Sequence, residues 1–202
     1  MAILLISPEP WQAHTVSKHH YARTLAKQGH RVLFLEPPEP QLRRLRLEPV
    51  PDQPRLERVQ APRVAPGLRW LPSSLRRRLE HRWLRQLERR AACRIDVIWL
   101  FENSRFYDLR FAGARLKIYH QVDLNQNFQP AIAARTADIC FCTSELIRQR
   151  LLPHNHRCYR LQHGVAPPSA VSYPWSESDE ARLRHDRPQV AYVGNLAIPY
   201  LD

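Results

Sequence analysis

The sequence predicts an α/β fold: an open parallel sheet with helices on both faces. Three observations carry that expectation. Short apolar runs recur along the chain without polar interruption, as in strands buried on both faces. Helical patterns separate most of these runs. A strand–helix–strand unit opens the chain, which makes the first pairing parallel and its crossover right-handed. The composition agrees: 202 residues, 44% hydrophobic and 25% charged, exclude a disordered or collagen-like chain. The length allows one large domain, or one domain and part of another.

Each element has its own signal. Ala2–Ile6 is a continuous apolar run stopped by Ser-Pro-Glu-Pro. Thr15 to Gln28 reads as a helix, with Val16, His20, Tyr21, Leu25 and Ala26 as its stripe and Thr15 or Ser17 as its cap. Gly29 fits the left-handed position after it. Arg31 to Leu35 is the second strand, ended by Pro37 and Pro38. Residues 36–72 form a proline-rich excursion with one short strand near Leu56–Val59. A helix capped by Ser73 or Ser74 runs to about Cys93, with Leu75, Leu79, Trp83, Leu87 and Ala91 recurring every fourth residue. Asp96–Phe101 and Leu116–Val122 are strands with a short helical stretch between them. A helix over Asn127–Thr136, a strand over Asp138–Thr143, a helix over Ser144–Leu152 and a short strand over Tyr159–Leu161 follow. Residues 166–188 read as a linker, and 189–202 as the first strand and turn of a second, incomplete domain. Strands alternating with helices in this way make the sheet Rossmann-like.

The charge is local. The chain carries 31 Lys+Arg against 19 Asp+Glu, a net of +12. Between Gln41 and Ile95 there are 15 Arg and 5 acids, so this segment alone contributes +10. It reads either as a surface for an anionic partner or as a solvated arginine face. For the arginine helix, the choice lies between an anionic membrane and packing of its Leu/Trp stripe on the sheet. Four cysteines, Cys93, Cys140, Cys142 and Cys158, form no CxxC pair and read as free thiols in a reducing compartment. His154, His156 and Cys158 alternate but lack the spacing of a structural zinc site, so no metal is expected. The run Ala2–Ile6 is too short for a signal peptide or a membrane span. A cytoplasmic chain is expected, soluble or peripheral on the inner face of the membrane.

Three stretches carry a family resemblance. The first is Trp11 followed by SKHHYARTLAKQGHRVLFLEPP, from Ser17 to Pro38. The second is DVIWLF followed by IYHQVD, which ends at Asp123. The third is ADICFCTSELIRQRL leading to HGV, from Ala137 to Val165, and then YVGNL near the end of the chain. In order and spacing they resemble the N-terminal half of bacterial GT-B-fold glycosyltransferases that build exopolysaccharides and other surface glycans. The resemblance implies an acceptor-side domain over 1–165 and a donor domain that only begins at 189. It implies a nucleotide-sugar donor, a glycan or lipid-linked acceptor and no cofactor. A truncated reading frame, a fragment or half of a split enzyme is then expected, with little catalysis by these 202 residues alone and a separate donor-domain half as partner. The alternative is a non-catalytic basic α/β module that binds an anionic membrane surface or, with less support, nucleic acid.

Open parallel sheets bind ligands beyond the carboxyl ends of their strands. The segment after the first strand, Ser7–His20, has no glycine, and the whole chain has 5. That argues against a glycine-rich dinucleotide loop. The segment offers Trp11, His14, Lys18 and His19 for a sugar ring, a phosphate or hydroxyl groups. Glu102 stands at the edge after DVIWLF. Asp123 and His120, at the end of the next strand, are the candidate catalytic pair: a carboxylate to orient the acceptor hydroxyl and an imidazole to exchange a proton. Half-buried packing for His120, and a turn cap for Asp123, are the plainer alternatives. Ser144 heads a helix, as a cap or an anion contact. By the resemblance, His163 faces the acceptor side at the domain junction, while Gly164, Gly194 and Asn195 approach the donor.

Overall fold

The computed structural model describes residues 1–12, 15–126 and 128–163. All of them fall within one compact unit, Met1–Val165. His14, Gly164, Gly194, Asn195, the linker 166–188 and the second-domain start at 189–202 lie outside the described residues. In order the chain lays down β1 (Ala2–Ile6), α1 (Ser17–Lys27), β2 (Arg31–Leu35), β3 (Arg46–Val50) and β4 (Gln53–Gln60). A 3-10 turn (Leu68–Trp70), α2 (Ser73–Ala91), β5 (Val97–Leu100) and a second 3-10 turn (Leu109–Phe111) follow. Then come β6 (Leu116–Gln121), α3 (Pro130–Thr136), β7 (Ile139–Cys142), α4 (Glu145–Leu151) and β8 (Cys158–Arg160).

The strands form one sheet in the order β3-β4-β2-β1-β5-β6-β7-β8, and every pairing is parallel except β3–β4. This is the open α/β sheet the sequence predicts. Alternation along each strand sends side chains to two cores. Leu4, Leu33, Ile98, Tyr119 and Cys140 join one core with α2, α3 and α4. Ile3, Leu5, Phe34, Trp99 and Ile118 join the other with α1. Both faces of the central strands are therefore dry, which is why those runs are apolar without interruption. Cys140 and Cys142 point to the same face, as their spacing requires.

Helix α1 ends as expected. Gly29 takes φ 89°, its N–H donates to the Ala26 carbonyl, and the His30 N–H donates to the Leu25 carbonyl. This is a Schellman closure, for which a positive φ favours glycine. Its start differs. The N-cap is Val16, which has no side-chain acceptor, so neither Thr15 nor Ser17 caps the helix. The inward face is His19, Ala22 and Ala26, while Val16 and His20 are exposed.

Helix α2 also departs from expectation. It begins at Ser73 behind Pro72, with no side-chain cap from Ser73 or Ser74. Trp83, Leu84, Leu87 and Ala91 are buried, but Leu75 is exposed and Arg76 and Glu80 take the inward positions. A repeat of four residues advances roughly 40° further than one helical turn at each step, so a Leu75–Ala91 stripe winds roughly 160° around the axis. Counting back in sevens from Leu87 and Trp83 reaches Glu80 and Arg76, the residues that face the core. Because the Trp/Leu face packs on the sheet, only the arginine face of α2 is left outward. No helix of the described residues is long and apolar enough to cross a membrane.

The proline-rich excursion holds a hairpin, not one short strand. β3 pairs with β4, and Asp52 turns the chain at φ 58°. Pro49 is tolerated because β3 is an edge strand. Arg31 secures the other end of this region. Its guanidinium bonds Glu57 on β4 at 2.7 Å and the Ala91 carbonyl at the end of α2 at 2.6 Å.

Candidate functional site

The strand order reverses between β1 and β5. The chain moves outward from β1 to β2 and β4, then returns to the other side of β1. In open parallel sheets the ligand crevice lies beyond the carboxyl ends at this reversal. Three segments meet there: residues 7–12 after β1, 101–105 after β5 and 122–126 after β6.

The first segment is held by side chains because it has no glycine turn. The Ser7 hydroxyl donates to the Glu9 carbonyl and accepts from the Glu9 N–H. The Trp11 N–H donates to the Glu36 carboxylate at 2.6 Å. The Trp11 ring packs on His19 and on the edge of Phe34, with the Arg23 guanidinium 5.0 Å over it. His19 is buried. Its Nδ1 accepts from the Val16 N–H at 3.2 Å and its Nε2 lies 3.4 Å from the Pro10 carbonyl. Both ring nitrogens are thus engaged by backbone, so the ring staples the loop to the start of α1 instead of offering itself to a substrate. Burial lowers its pKa, which keeps it neutral. Lys18 is also buried, and it pairs with Glu9.

His120 lies on the α1 side of β6, 1% exposed, among Tyr21, Trp99, Phe101 and Phe141. Among the described residues neither ring nitrogen has a hydrogen-bond partner. Burial pushes its pKa down to about 3, and the positive charges of His163 and Lys18 act in the same direction. The ring is therefore a neutral imidazole near pH 7. It can give or take a hydrogen bond, but it is too weakly basic to serve as the proton shuttle its sequence position suggested. Lys18 and His163 are near enough for their charges to act on His120. His163 is exposed.

The remaining candidates separate from this group. Asp123 is exposed, and its carbonyl accepts from the Gln121 side chain at 3.0 Å and the Gln126 N–H at 3.3 Å. Its carboxylate takes no part in holding the described fold. Glu102 is buried and bonded to Arg105 at 2.6 Å, so this carboxylate is a structural partner. The Ser144 hydroxyl accepts from the Ile147 N–H at 3.3 Å and is spent as the cap of the seven-residue α4.

Three side chains that sequence reasoning did not single out build the site. Arg105 ties Glu102 to the carbonyls of Ser7 and Glu36. Buried Gln121 and half-buried Gln126 shape the loop that carries Asp123, the latter accepting from the Val122 N–H and donating to the Phe101 carbonyl. Cys140, Cys142 and Cys158 are buried free thiols. Burial pushes the thiols of Cys140 and Cys158 up to about 12, which leaves them unreactive near neutral pH. Among the described residues no group of three or more metal-ligating side chains is placed to hold an ion. No protein family matches the chain, and no curated protein matches it.

Proposed function

We propose that this chain is the acceptor-side part of a GT-B-type glycosyltransferase, which moves a sugar from a nucleotide-sugar to a glycan or lipid-linked acceptor. The observation that supports it most is the strand reversal between β1 and β5, with a glycine-free loop and the Lys18, His120 and His163 group at its carboxyl end. Such an end suits a sugar acceptor better than a dinucleotide. In this reading the Lys18–Glu9 pair and the neutral His120 ring shape the wall behind the acceptor. The exposed Asp123 carboxylate orients the acceptor hydroxyl and takes its proton. The test is deletion of the gene in its host, with surface glycans profiled by mass spectrometry. One glycan is expected to disappear and to return with the wild-type gene. Asp123→Ala is expected to fold normally and to lower transfer by about 10²–10⁴-fold, the usual contribution of a general base. An unchanged glycan profile on deletion would overturn the reading.

A second reading, a basic module on an anionic membrane, draws support from α2. Arg78, Arg82, Arg85 and Arg89 are exposed on the face opposite Trp83, Leu84 and Leu87. With their apolar neighbours buried, the attraction would be electrostatic and screened by salt. Flotation with phosphatidylglycerol vesicles at low salt is expected, with loss at high salt and on reversal of the four arginines to Glu. Equal flotation with neutral vesicles would rule this reading out.

A further inference from the structure

A cavity of about 460 Å³ opens on the α2 side of the sheet, apart from Lys18, His120 and His163. Its floor is apolar core: Leu35, Ala61, Trp83 and Phe106. Its rim is the chain from Pro62 to Trp70. Gly67 takes φ 65° there and turns the chain into the 3-10 segment that presents Arg69 and Trp70.

The polar lining is one-sided. Four arginines line the cavity, Arg63, Arg69, Arg76 and Arg105, and no carboxylate does. Arg105 spends its guanidinium on Glu102 and two carbonyls. Arg76 is 5% exposed, is held by Tyr107 and Asp108, and its Nε faces the buried Glu80 carboxyl group at 3.8 Å. Arg63 and Arg69 are exposed, and among the described residues neither forms an ion pair. Trp70 stands 77% exposed with the Arg69 guanidinium 4.8 Å over its ring. Two charges without an ion-pair partner among the described residues and an exposed indole thus surround an apolar hollow.

We propose that this cavity binds a phosphate ester carried on an apolar body. Two free guanidinium groups match the charge of a phosphate monoester, and their planar forks match its oxygens. The apolar floor and the Trp70 ring take the body of the ligand. The volume lies within the range of small-molecule sites, roughly 300–1,000 Å³. Lys18, His120, Asp123 and His163 do not line it, and Arg105, which does, is spent on Glu102 and two carbonyls, so the site stands whether or not the chain transfers sugar.

The test is calorimetric titration of the whole chain with octyl phosphate below its micelle concentration, beside inorganic phosphate and octanol. Octyl phosphate is expected to bind one to one, at least tenfold more tightly than either control. The R63A/R69A double variant is expected to lose at least tenfold in affinity and W70A a few-fold. Both substitutions fall on exposed side chains, and circular dichroism checks that the fold persists. Flotation with phosphatidic acid vesicles separates the sources. Binding to octyl phosphate together with vesicles that R63A/R69A no longer joins means a lipid headgroup. Binding to octyl phosphate without flotation means a soluble ester. Octyl phosphate that binds no better than inorganic phosphate or octanol, or equally well to R63A/R69A, overturns the proposal.

Discussion

Arg105→Ala is expected to destabilise the fold by about 3–5 kcal/mol, the cost of leaving the buried Glu102 carboxylate without its ion-pair partner. Arg105 donates to Glu102 at 2.6 Å, to the Glu36 carbonyl at 2.9 Å and to the Ser7 carbonyl at 2.8 Å. Those acceptors follow β5, β2 and β1, three neighbouring strands. One guanidinium therefore ties their carboxyl ends together, where the sheet ladder has run out. Alanine would leave a buried carboxylate and two carbonyls short of a donor, at about 1–3 kcal/mol for each unsatisfied group. These costs overlap, so the ion-pair figure bounds the total better than their sum. For a chain of this size the melting temperature should fall by roughly 6–20 °C.

Two further variants identify the cause. Arg105→Lys keeps the charge near Glu102 but cannot reach three acceptors, so it should lie between wild type and alanine. The double variant R105M/E102Q removes both charges together and should recover part of the loss. Thermal denaturation followed by circular dichroism reads all three. A melting temperature within about 2 °C of wild type for Arg105→Ala would show that the three-strand tie contributes little.

The same residue marks where the sequence stops being legible. Strands β1, β2, β5, β6 and β7 are visible because burial on both faces makes most of their positions apolar. β3 is invisible because an edge strand carries charge and Pro49 without penalty, so RLEPV reads as loop. The neighbourhood of Lys18 and His120 is visible through the carboxyl-end rule, which needs only the strand ends. Half-burial of His120 is one of the readings the sequence allows; its full enclosure is not legible there, because its aromatic walls come from α1, β5 and the residue after it, and β7. Arg105 is hidden for the same reason: its carbonyl partners are 69 and 98 residues away in sequence. Local spacing finds which strand end a residue occupies; it does not find which side chains from distant strands fill the space around it.

Two buried titratable groups should shape the pH dependence of stability in opposite directions. Glu80 is 0% exposed, and burial raises its pKa from 4.5 to about 8, with the Asp108 charge adding and Arg76 and Arg77 opposing. The folded state therefore holds a proton that the unfolded chain releases above 4.5. Its contribution is full below pH 4.5 and is lost as pH rises to about 8. His120 runs the other way. Burial lowers its pKa from 6.5 to about 3, so the unfolded chain takes up a proton that the folded state refuses. Its contribution is full above pH 6.5 and is lost as pH falls to about 3. Between pH 4.5 and 6.5 the two slopes oppose and largely cancel. Glu80 alone acts from pH 6.5 to 8, and one proton at about 1.4 kcal/mol per pH unit costs about 2 kcal/mol there. Glu80→Gln should remove that alkaline decline, so its advantage over wild type grows with pH up to about 8. His120→Leu should remove the matching acid decline of about 2 kcal/mol between pH 4.5 and 3. Asp108, held below the usual carboxylate range by Arg110 and Arg77, loses stability in acid in every variant. The difference between His120→Leu and wild type therefore isolates the imidazole. Urea denaturation across pH 3–9 measures these curves. If each variant runs parallel to wild type, the buried groups do not titrate as their surroundings require.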